Sequence, residues 1–434
     1  MSDHGRVRAI EVELGAGSAH VVLDLGGERR RRRVGYRAGG PWGLTRWVDP
    51  SDGAAYVVFS GALGGAADLL GEAAGPGDLT RTTVTVRVHA DVGGPAPVTV
   101  VPPAASLLAG HHLGFAAGPW RREAIKDVVI HARRSCDAGL GTLGAETRAG
   151  LDWMLDFFGG APPWGGGYVQ VLVPDAPWLA MEHPGCVLVS ERLMSADPAR
   201  RVAVLAHEAA HQWLGNLVAP ASWSDLGAFE GLAELLGQLA CRDLLGSAAD
   251  AYLTHRRRLA PLARLPGCDP RSLAETAGLA EVAGPTQHAE LFRAARDAWG
   301  GDAFRGRLRE LVRRGGGVAV SATQVWAALG AAPSEPVPVR LPAATGDGVG
   351  DGVGEGDGDR SWMRQLRDLG QLDPATAVVR AREAFRAAPT DGGRVRQALA
   401  ALSDATLPTA VAVGLAAELA APGRSRNGDW HVRK

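Results

Sequence analysis

Lysine is nearly absent from this sequence, and cysteine and tyrosine are scarce. Only Lys126 and Lys434 are lysines among 46 basic residues, an arginine skew that we interpret as coding bias rather than function. The four cysteines lie far apart and contain no C-x-x-C pair, which excludes a cysteine-based zinc or redox motif. Four cysteines in 434 residues are also too few for a disulfide scaffold.

Long apolar runs and an excess of one charge are missing as well. No uncharged stretch approaches the roughly 20 residues that a membrane-spanning helix needs. Met1–Ser18 carries charges throughout and lacks the apolar segment of a signal peptide. The formal net charge is −1, so no global field attracts nucleic acid or an anionic membrane. We therefore expect a soluble, cytoplasmic protein without a nucleic-acid or membrane partner.

The hydrophobic patterning predicts an α+β multidomain protein. Short runs with a period of two fill the first third, and helical spacing begins near Leu140. The Gly/Asp-rich stretch Thr345–Asp359 cannot bury a core and predicts a linker. We predict an N-terminal β-sandwich or saddle domain over residues 1–135, an α+β domain over 136–330, a linker over 331–360 and a small helical tail over 361–434.

The pattern also predicts individual elements. The predicted strands are Ala9–Leu14, His20–Leu25, Ala55–Phe59, Thr82–His89, Pro97–Val101 and Tyr168–Val173. The predicted helices are Leu143–Phe158, Asp197–Gly215, Asp225–Leu245, His288–Trp299, Asp302–Arg314, Pro374–Ala388 and Gly393–Leu402. The five arginines Arg29–Arg33 allow a nucleic-acid patch or a charged hairpin tip or edge strand, and the absence of accompanying aromatic residues favours the second.

The strongest chemical signal is the pentapeptide His207-Glu208-Ala209-Ala210-His211 on a predicted helix. Residues four apart share one helix face, so both imidazoles can reach one ion, and Zn²⁺ is the expected metal. Glu208 is placed to take a proton from a water that the metal activates. Five residues alone are a modest signal, because any helix can carry two surface histidines.

A third ligand candidate follows on the next predicted helix. Glu230 comes 18 residues after His211, and a returning helix can bring its carboxylate back to the ion. Two histidines, one glutamate and a water form the open arrangement of a catalytic zinc site. Glu234, one helical turn further, is a candidate to support a ligating histidine, although an exposed acid is the alternative.

The segment His207–Glu234 resembles the zinc segment of the gluzincin aminopeptidases, the family of aminopeptidase N and membrane alanyl aminopeptidase. The family pattern is H-E-x-x-H-x-W-x-G-N, then W-x-D-L, then N-E-G. The matching residues outside the pentapeptide are Trp213, Gly215, Asn216, Trp223, Asp225, Leu226, Glu230 and Gly231. The resemblance implies a thermolysin-like fold for residues 136–330, one Zn²⁺ per chain and peptide substrates. It extends more loosely over Val84–Leu329.

A second match precedes the zinc segment. Residues 179–183 resemble the family's G-x-M-E-N segment, which lies along the substrate. Met181 and Glu182 agree, whereas Leu179 and His183 depart. The resemblance implies that Met181 and Glu182 bind substrate, and a carboxylate at Glu182 suits pairing with a protonated α-amine. A surface acid at a strand end is the alternative for Glu182.

Several positions depart from the family pattern. The family's oxyanion-binding tyrosine belongs to a Y-x-K-G segment, and an ungapped count places Pro285 at its position. The nearest candidate for a substitute donor is His288, with Tyr252 more remote. Phe229 replaces the asparagine before the third ligand, and Gly227 replaces a large residue, so the pocket is expected to be reshaped.

The leading functional prediction is a zinc metallopeptidase. The resemblance implies aminopeptidase action, and we expect reduced activity if no donor replaces the tyrosine. A dedicated peptide-processing protease that trims leaders is one alternative. A zinc-retaining binding or scaffold protein without catalysis is the other, and the intact Glu208 argues against it. Because only about 75 residues follow the linker, where the family has a large helical domain, we expect an open cleft or one closed by a partner chain or oligomer.

Overall fold

The protein has mixed α and β structure. The computed structural model describes residues 9–330, with gaps at residues 16, 26, 37–42, 52, 62–68, 70–79, 82, 89–97, 101–106, 109–111, 137–138, 161–166, 175, 177 and 260–279. The chain divides into two compact units, one containing the residues up to Thr254 and those from His288 to Val337, the other containing residues 255–287 and 338–434. None of the helices in the described part has both the length and the apolar character that crossing a membrane requires.

The first unit contains three larger β-sheets. Sheet 1 has the strand order β3-β2-β1-β7, sheet 2 the order β4-β5-β10-β8, and sheet 3 the order β11-β12-β13-β15-β14. Short pairs join β6 to β9 and β16 to β17. The strands are β1 Ala9–Leu14, β2 Ser18–Asp24, β3 Arg29–Gly35, β4 Gly43–Val48, β5 Ala55–Ser60, β6 Thr80–Arg81, β7 Thr83–Val88, β8 Val98–Val100, β9 Leu107–Leu108, β10 Gly114–Gly118, β11 Arg121–Ile125, β12 Val128–Ala132, β13 Tyr168–Val173, β14 Ala180–His183, β15 Cys186–Ser190, β16 Ala219–Pro220 and β17 Ala319–Val320.

The helices follow and interleave with sheet 3. They are α1 Leu140–Phe158, α2 Pro198–His211, α3 Leu226–Leu245, α4 Asp250–Leu259, α5 Ala280–Trp299, α6 Gly301–Gly315 and α7 Ala322–Ala328. Short 3₁₀ turns cover Glu191–Ser195, Trp223–Asp225 and Gly246–Ala249. The described part of the second unit consists of the end of α4 and the beginning of α5.

Three apolar cores hold the first unit together as layers. One core joins sheets 1 and 2 through residues such as Val12 and Phe59. A second joins the other face of sheet 2 to sheet 3, through Tyr56 and Leu188. The third joins the remaining face of sheet 3 to helices α1, α2, α3, α5, α6 and α7. Because sheet 2 is covered on both faces, β5 is buried along its whole length and has no alternation of polar residues.

Most of the predicted elements are confirmed, with boundaries that agree within three residues. The Arg29–Arg33 run lies in β3, an edge strand of sheet 1, where Arg29 pairs with Glu11 at 2.8 Å, so the edge-strand interpretation is confirmed. Two boundaries are wrong: α2 ends at His211 rather than near Gly215, and α5 begins at Ala280 rather than at His288. The predicted linker and helical tail lie outside the described residues, and the domain boundary at 135/136 stays a prediction.

A buried ionic cluster joins sheet 2 to sheet 3. Asp49, which follows β4, is 1% exposed and accepts hydrogen bonds from Ser135 Oγ at 2.5 Å and Ser51 N at 2.9 Å. Arg133, which follows β12, contacts Asp49 at 3.4 Å and Glu191 at 2.7 Å. Burial alone would raise the pKa of Asp49, but these hydrogen bonds and Arg133 lower it to about 2.

We predict that Asp49→Asn lowers the stability of the protein at pH 7 by about 2 kcal/mol. Because the folded-state pKa is depressed, the contribution of Asp49 is fully present above its ordinary pKa near 4 and disappears as the pH falls toward 2. Urea unfolding should therefore show a difference between parent and variant that narrows between pH 4 and pH 2. Asp297→Asn, at an exposed position, is the control; an equal difference at all pH values would refute the assignment.

Helices α2 and α3 approach each other at a glycine. A Cβ atom built on Gly237 of α3 would lie 2.7 Å from the carbonyl oxygen of Ala203 and 3.1 Å from the backbone nitrogen of His207. These are backbone atoms of α2 that cannot rotate away. The absence of a side chain at Gly237 therefore sets the spacing of the two helices beside His207.

We predict that Gly237→Ala destabilises the protein by about 1–3 kcal/mol, because overpacking at the helix contact outweighs the gain in helix propensity of about 1 kcal/mol. The matched control is Gly306→Ala in α6, where no atom lies within 4 Å of the added Cβ. Thermal unfolding should show the control at or above the parent midpoint and Gly237→Ala below it. Equal midpoints for the two variants would contradict this account.

Candidate metal centre

The helix that carries the pentapeptide begins with strong local signals. The Asp197 side chain accepts a hydrogen bond from Ala199 N at 2.9 Å, and Pro198 occupies the first helical position. Along α2 the small apolar residues Ala206 and Ala209 are fully buried against the core of sheet 3. This packing leaves His207 and His211, which share another face of the helix, directed toward α3.

The two histidines present the same ring nitrogen to a common point. Their Nε2 atoms lie 2.9 Å apart. His211 Nδ1 donates a hydrogen bond to the carbonyl oxygen of Leu214 at 2.9 Å, and His207 Nδ1 lies 3.6 Å from Glu234 Oε2. Since the outer nitrogens face acceptors, the protons belong on Nδ1 and the Nε2 lone pairs are available to a cation.

Glu230 on α3 completes the cluster. Its Oε2 lies 3.5 Å from His207 Nε2, and its Oε1 lies 3.6 Å from His211 Nε2. Ligand atoms of the three residues all lie within 4.8 Å of one another. Two imidazole nitrogens and one carboxylate oxygen are the donor set of a catalytic zinc site with an open fourth position, so the residues present fit zinc.

The electrostatics of the cluster are strongly coupled. Burial alone would lower the pKa of His211, but Glu182 and Glu230 outweigh it and raise the pKa to about 9. Burial alone would likewise raise the pKa of Glu230, but His211 and His207 hold it well below its ordinary value. Without an ion, these carboxylates attract protons to the imidazoles. A bound cation would take the place of those protons.

Glu208 lies next to the ligands and is almost completely buried. It is 5% exposed, and its Oε2 has no hydrogen-bond partner among the described residues. Burial raises the pKa of Glu208 to about 8, with a further contribution from Glu182 that His207 opposes. A carboxyl group of this kind is suited to exchange protons near neutral pH.

The two predicted substrate-binding residues lie on opposite faces of β14. Glu182 pairs in register with Val187, whose side chain belongs to the core between sheet 3 and the helices. The pKa of Glu182 is raised by desolvation, lowered by His211 and raised again by Glu230, so it shares the environment of the metal ligands. Met181 packs on the other face, against the core between sheets 2 and 3.

His288 lies beside the turn of α3 that carries Glu230. A Cβ atom on Gly227 would lie 2.8 Å from His288 Cε1, and one on Gly231 would lie 2.2 Å from His288 Cβ. The imidazole therefore occupies space that a larger residue at position 227 would need. This explains in steric terms why glycine stands there.

Sequence reasoning missed the contacts that connect α2 to β14. It gave Gln212 no role and named Trp213 only as a match to the family pattern. Trp213 is buried and stacks on Phe158 at 4.9 Å, but the Gln212 amide accepts from Gly185 N at 2.8 Å and donates to the His183 carbonyl at 3.3 Å. Gln212 follows the candidate ligand His211 directly, and an amide residue in that position of an otherwise apolar segment is the signal that could have revealed its role.

Tyr168 is the second omission. The sequence analysis gave Tyr168 no role in the site. The Tyr168 hydroxyl on β13 is buried and has no hydrogen-bond partner among the described residues. Burial raises the pKa of Tyr168 well above its ordinary value, and the charges of Glu208 and Glu182 contribute to the shift. Tyr168 thus lies within the electrostatic reach of the site.

The comparisons with known proteins concern this central part of the chain. Residues 145–264 match the peptidase family M1 domain. Aminopeptidase N of Bos taurus is 42% identical over 78 residues, which cover 16% of this chain and 8% of that protein. Aminopeptidase N of Rattus norvegicus is 43% identical over 79 residues, with coverage of 16% and 8%. Leucine aminopeptidase 2 of Emericella nidulans is 41% identical over 68 residues, with coverage of 16% and 11%.

The similarity is local, since the matched segments span 8% to 11% of the lengths of these relatives. It nevertheless contains both α2 and the part of α3 that bears Glu230. The match is narrower than the loose resemblance over Val84–Leu329 that the sequence suggests. Residues 145–264 of this chain are thus similar to the peptidase family M1 domain, as the motifs around His207 and Glu230 indicate.

Proposed function

We propose that this chain is a zinc-dependent metallopeptidase of the aminopeptidase type. The observation that carries the proposal is the convergence of His207, His211 and Glu230, whose ligand atoms lie within 4.8 Å of one another beside the buried Glu208. The names of the similar proteins, aminopeptidase N and leucine aminopeptidase 2, support the same activity class. We also propose that residues 136–330 form a thermolysin-like fold and that residues 1–135, which precede them in the chain, form a β domain.

His207, His211 and Glu230 would hold one zinc ion per chain. When bound, the ion supplies Lewis acidity, which polarises a peptide carbonyl and makes a water molecule more acidic. The hydrogen bond from His211 Nδ1 to Leu214 and the contact of His207 Nδ1 with Glu234 orient the two rings for this task.

Glu208 acts as the proton carrier. Its free Oε2 accepts a proton from the attacking water and later returns it to the nitrogen of the leaving amine, so the carboxylate is regenerated in each cycle. Burial raises the pKa of the Glu208 carboxyl group, which makes it a stronger proton acceptor than an exposed carboxylate. Burial of the carboxyl group keeps bulk water from competing for the proton.

Glu182 binds the substrate, and Met181 supports the strand that carries it. The Glu182 carboxylate pairs with the protonated α-amine of the peptide and so places the first peptide bond over the metal ligands. Met181 supports this strand by its packing on the opposite face of sheet 3. We give His288 the part of oxyanion donor, supported by its position beside the turn of α3 that carries Glu230.

We predict that Glu208→Gln abolishes peptide hydrolysis but retains stoichiometric zinc, because it removes the proton acceptor and none of the ligands. His207→Ala should lose the metal as well as the activity. The measurements are zinc content by atomic emission and release of amino acids from a peptide library. Glu191→Gln, a carboxylate in the remote Arg133 cluster, is the control. A parent protein without stoichiometric zinc would refute the proposal.

For Glu182→Gln we predict a loss of about 10–100-fold in kcat/KM on peptides with a free amino terminus, the equivalent of one charge-assisted hydrogen bond. The same variant should process N-acetylated peptides as slowly as the parent does. Exposed Glu123→Gln on β11 serves as the matched control.

An equal loss on free and acetylated peptides would contradict the amine-binding role of Glu182. Amino-acid anilides complete this experiment, because a general aminopeptidase cleaves them and a dedicated leader-trimming protease ignores them. Cleavage of long peptides alone would favour the processing protease.

A further inference from the structure

We propose that Arg293 on α5 is a positioning residue for the metal ligand His207, acting through Gln238 and Glu234. The inference rests on the proposed zinc function and adds to it a chain of side chains that reaches from the metal centre into a third helix. All four residues lie in the first compact unit.

The chain begins at Glu234, whose two carboxylate oxygens have different neighbours. Oε2 lies 3.6 Å from His207 Nδ1, and Oε1 accepts a hydrogen bond from Gln238 Nε2 at 2.7 Å. Glu234 is 8% exposed, so water does little to set its orientation. Gln238, one turn along α3, therefore holds the carboxylate that faces the ligand.

Gln238 connects Arg293 to Glu234, because its amide has one donor end and one acceptor end. Its Nε2 points to Glu234, and its Oε1 accepts a hydrogen bond from Arg293 Nη2 at 2.5 Å. A guanidinium can only donate and a carboxylate can only accept, so the two partners together fix which way the amide lies. Gln238 is 2% exposed, which leaves it little room for another conformation.

Arg293 is anchored on its own helix. Its Nε donates to Glu290 Oε1 at 3.1 Å, and the two side chains are 13% and 9% exposed. The backbone of α5 is held against α3 one turn earlier, where Ala289 N would lie 3.0 Å from a Cβ atom on Gly231. The guanidinium therefore reaches Gln238 from a backbone whose distance to α3 is set by a glycine contact.

The order of the charges along this series of side chains determines what Arg293 does for the metal site. A cation at Arg293 polarises the Gln238 amide, and the amide N–H holds the Glu234 carboxylate in place as an acceptor facing His207 Nδ1. The imidazole is then kept with its Nε2 toward the metal. If Arg293 only tied α5 to α3, its removal would weaken packing without depending on Glu234, and this difference can be measured.

The test is a double-mutant cycle on zinc affinity in the full chain. Zinc dissociation constants from competition with a chelating dye are compared for the parent, Arg293→Met, Glu234→Gln and the double variant. We expect about tenfold weaker zinc binding for Arg293→Met, at the low end of effects from residues behind a ligand. In the Glu234→Gln background the same substitution should change the affinity by less than about twofold, since the chain is already broken.

The absorption bands of bound Co²⁺ provide a second readout, because they report the geometry of the ligands and should shift in Arg293→Met. Arg296→Met is the matched control, since Arg296 lies on the same helix, is 34% exposed and pairs only with its neighbour Asp297 among the interactions described. Arg293→Lys keeps the charge and one donor, so it should restore part of the affinity.

Unchanged affinity in Arg293→Met, or a tenfold loss that persists in the Glu234→Gln background, would overturn the proposal. If Arg293→Met does not fold, Gln238→Leu takes its place in the cycle. A parent that binds no zinc defeats the proposed function itself, whereas a parent that binds zinc and an Arg293→Met variant that binds it equally well defeat only the role of Arg293.

Discussion

The close contact between α2 and α3 is the constraint on which the rest of the site depends. The two imidazoles come from α2, and the third ligand, the carboxylate of Glu230, comes from α3. Their convergence therefore requires the two helix backbones to approach at Gly237. Layered packing sustains this approach, because α2 is held from behind by the core that covers sheet 3. Metal ligands tolerate displacements of only a few tenths of an ångström, and a contact between backbones is more rigid than one between side chains.

Four carboxylates and two imidazoles share this small and mostly buried space. Glu182, Glu208, Glu230 and Glu234 all act on the histidines or on one another. Burial raises the pKa values of Glu182 and Glu208, and the neighbouring carboxylates add to the shift. Burial penalises such a concentration of negative charge unless a cation balances it. Under the proposed function, a zinc ion held by His207, His211 and Glu230 would supply two positive charges. These charges would offset the repulsion among the four carboxylates.

Local rules predicted the elements that bear the ligands, because helix capping at Asp197 and the spacing of His207 and His211 depend only on neighbours in the chain. The start of α5 was not predictable in this way, since Pro285 argues against a helix that nevertheless begins at Ala280. Contacts that depend on strand register or on a third helix were also not predictable from the sequence. The electrostatic influence of Glu208 on Tyr168 and the hydrogen bond of Arg293 to Gln238 depend on packing between segments far apart in sequence.

The N-terminal sheets also take part in the site. Neighbouring residues of β14 face opposite sides, so Glu182 turns toward the helices only while Met181 is packed against the core between sheets 2 and 3. Residues 145–264, which carry the family match, include β13, β14 and β15 but neither β12 beside them nor the strands of sheet 2. That segment alone would expose the apolar face of sheet 3 to water. The β layers thus supply the surface against which β14 is held in register.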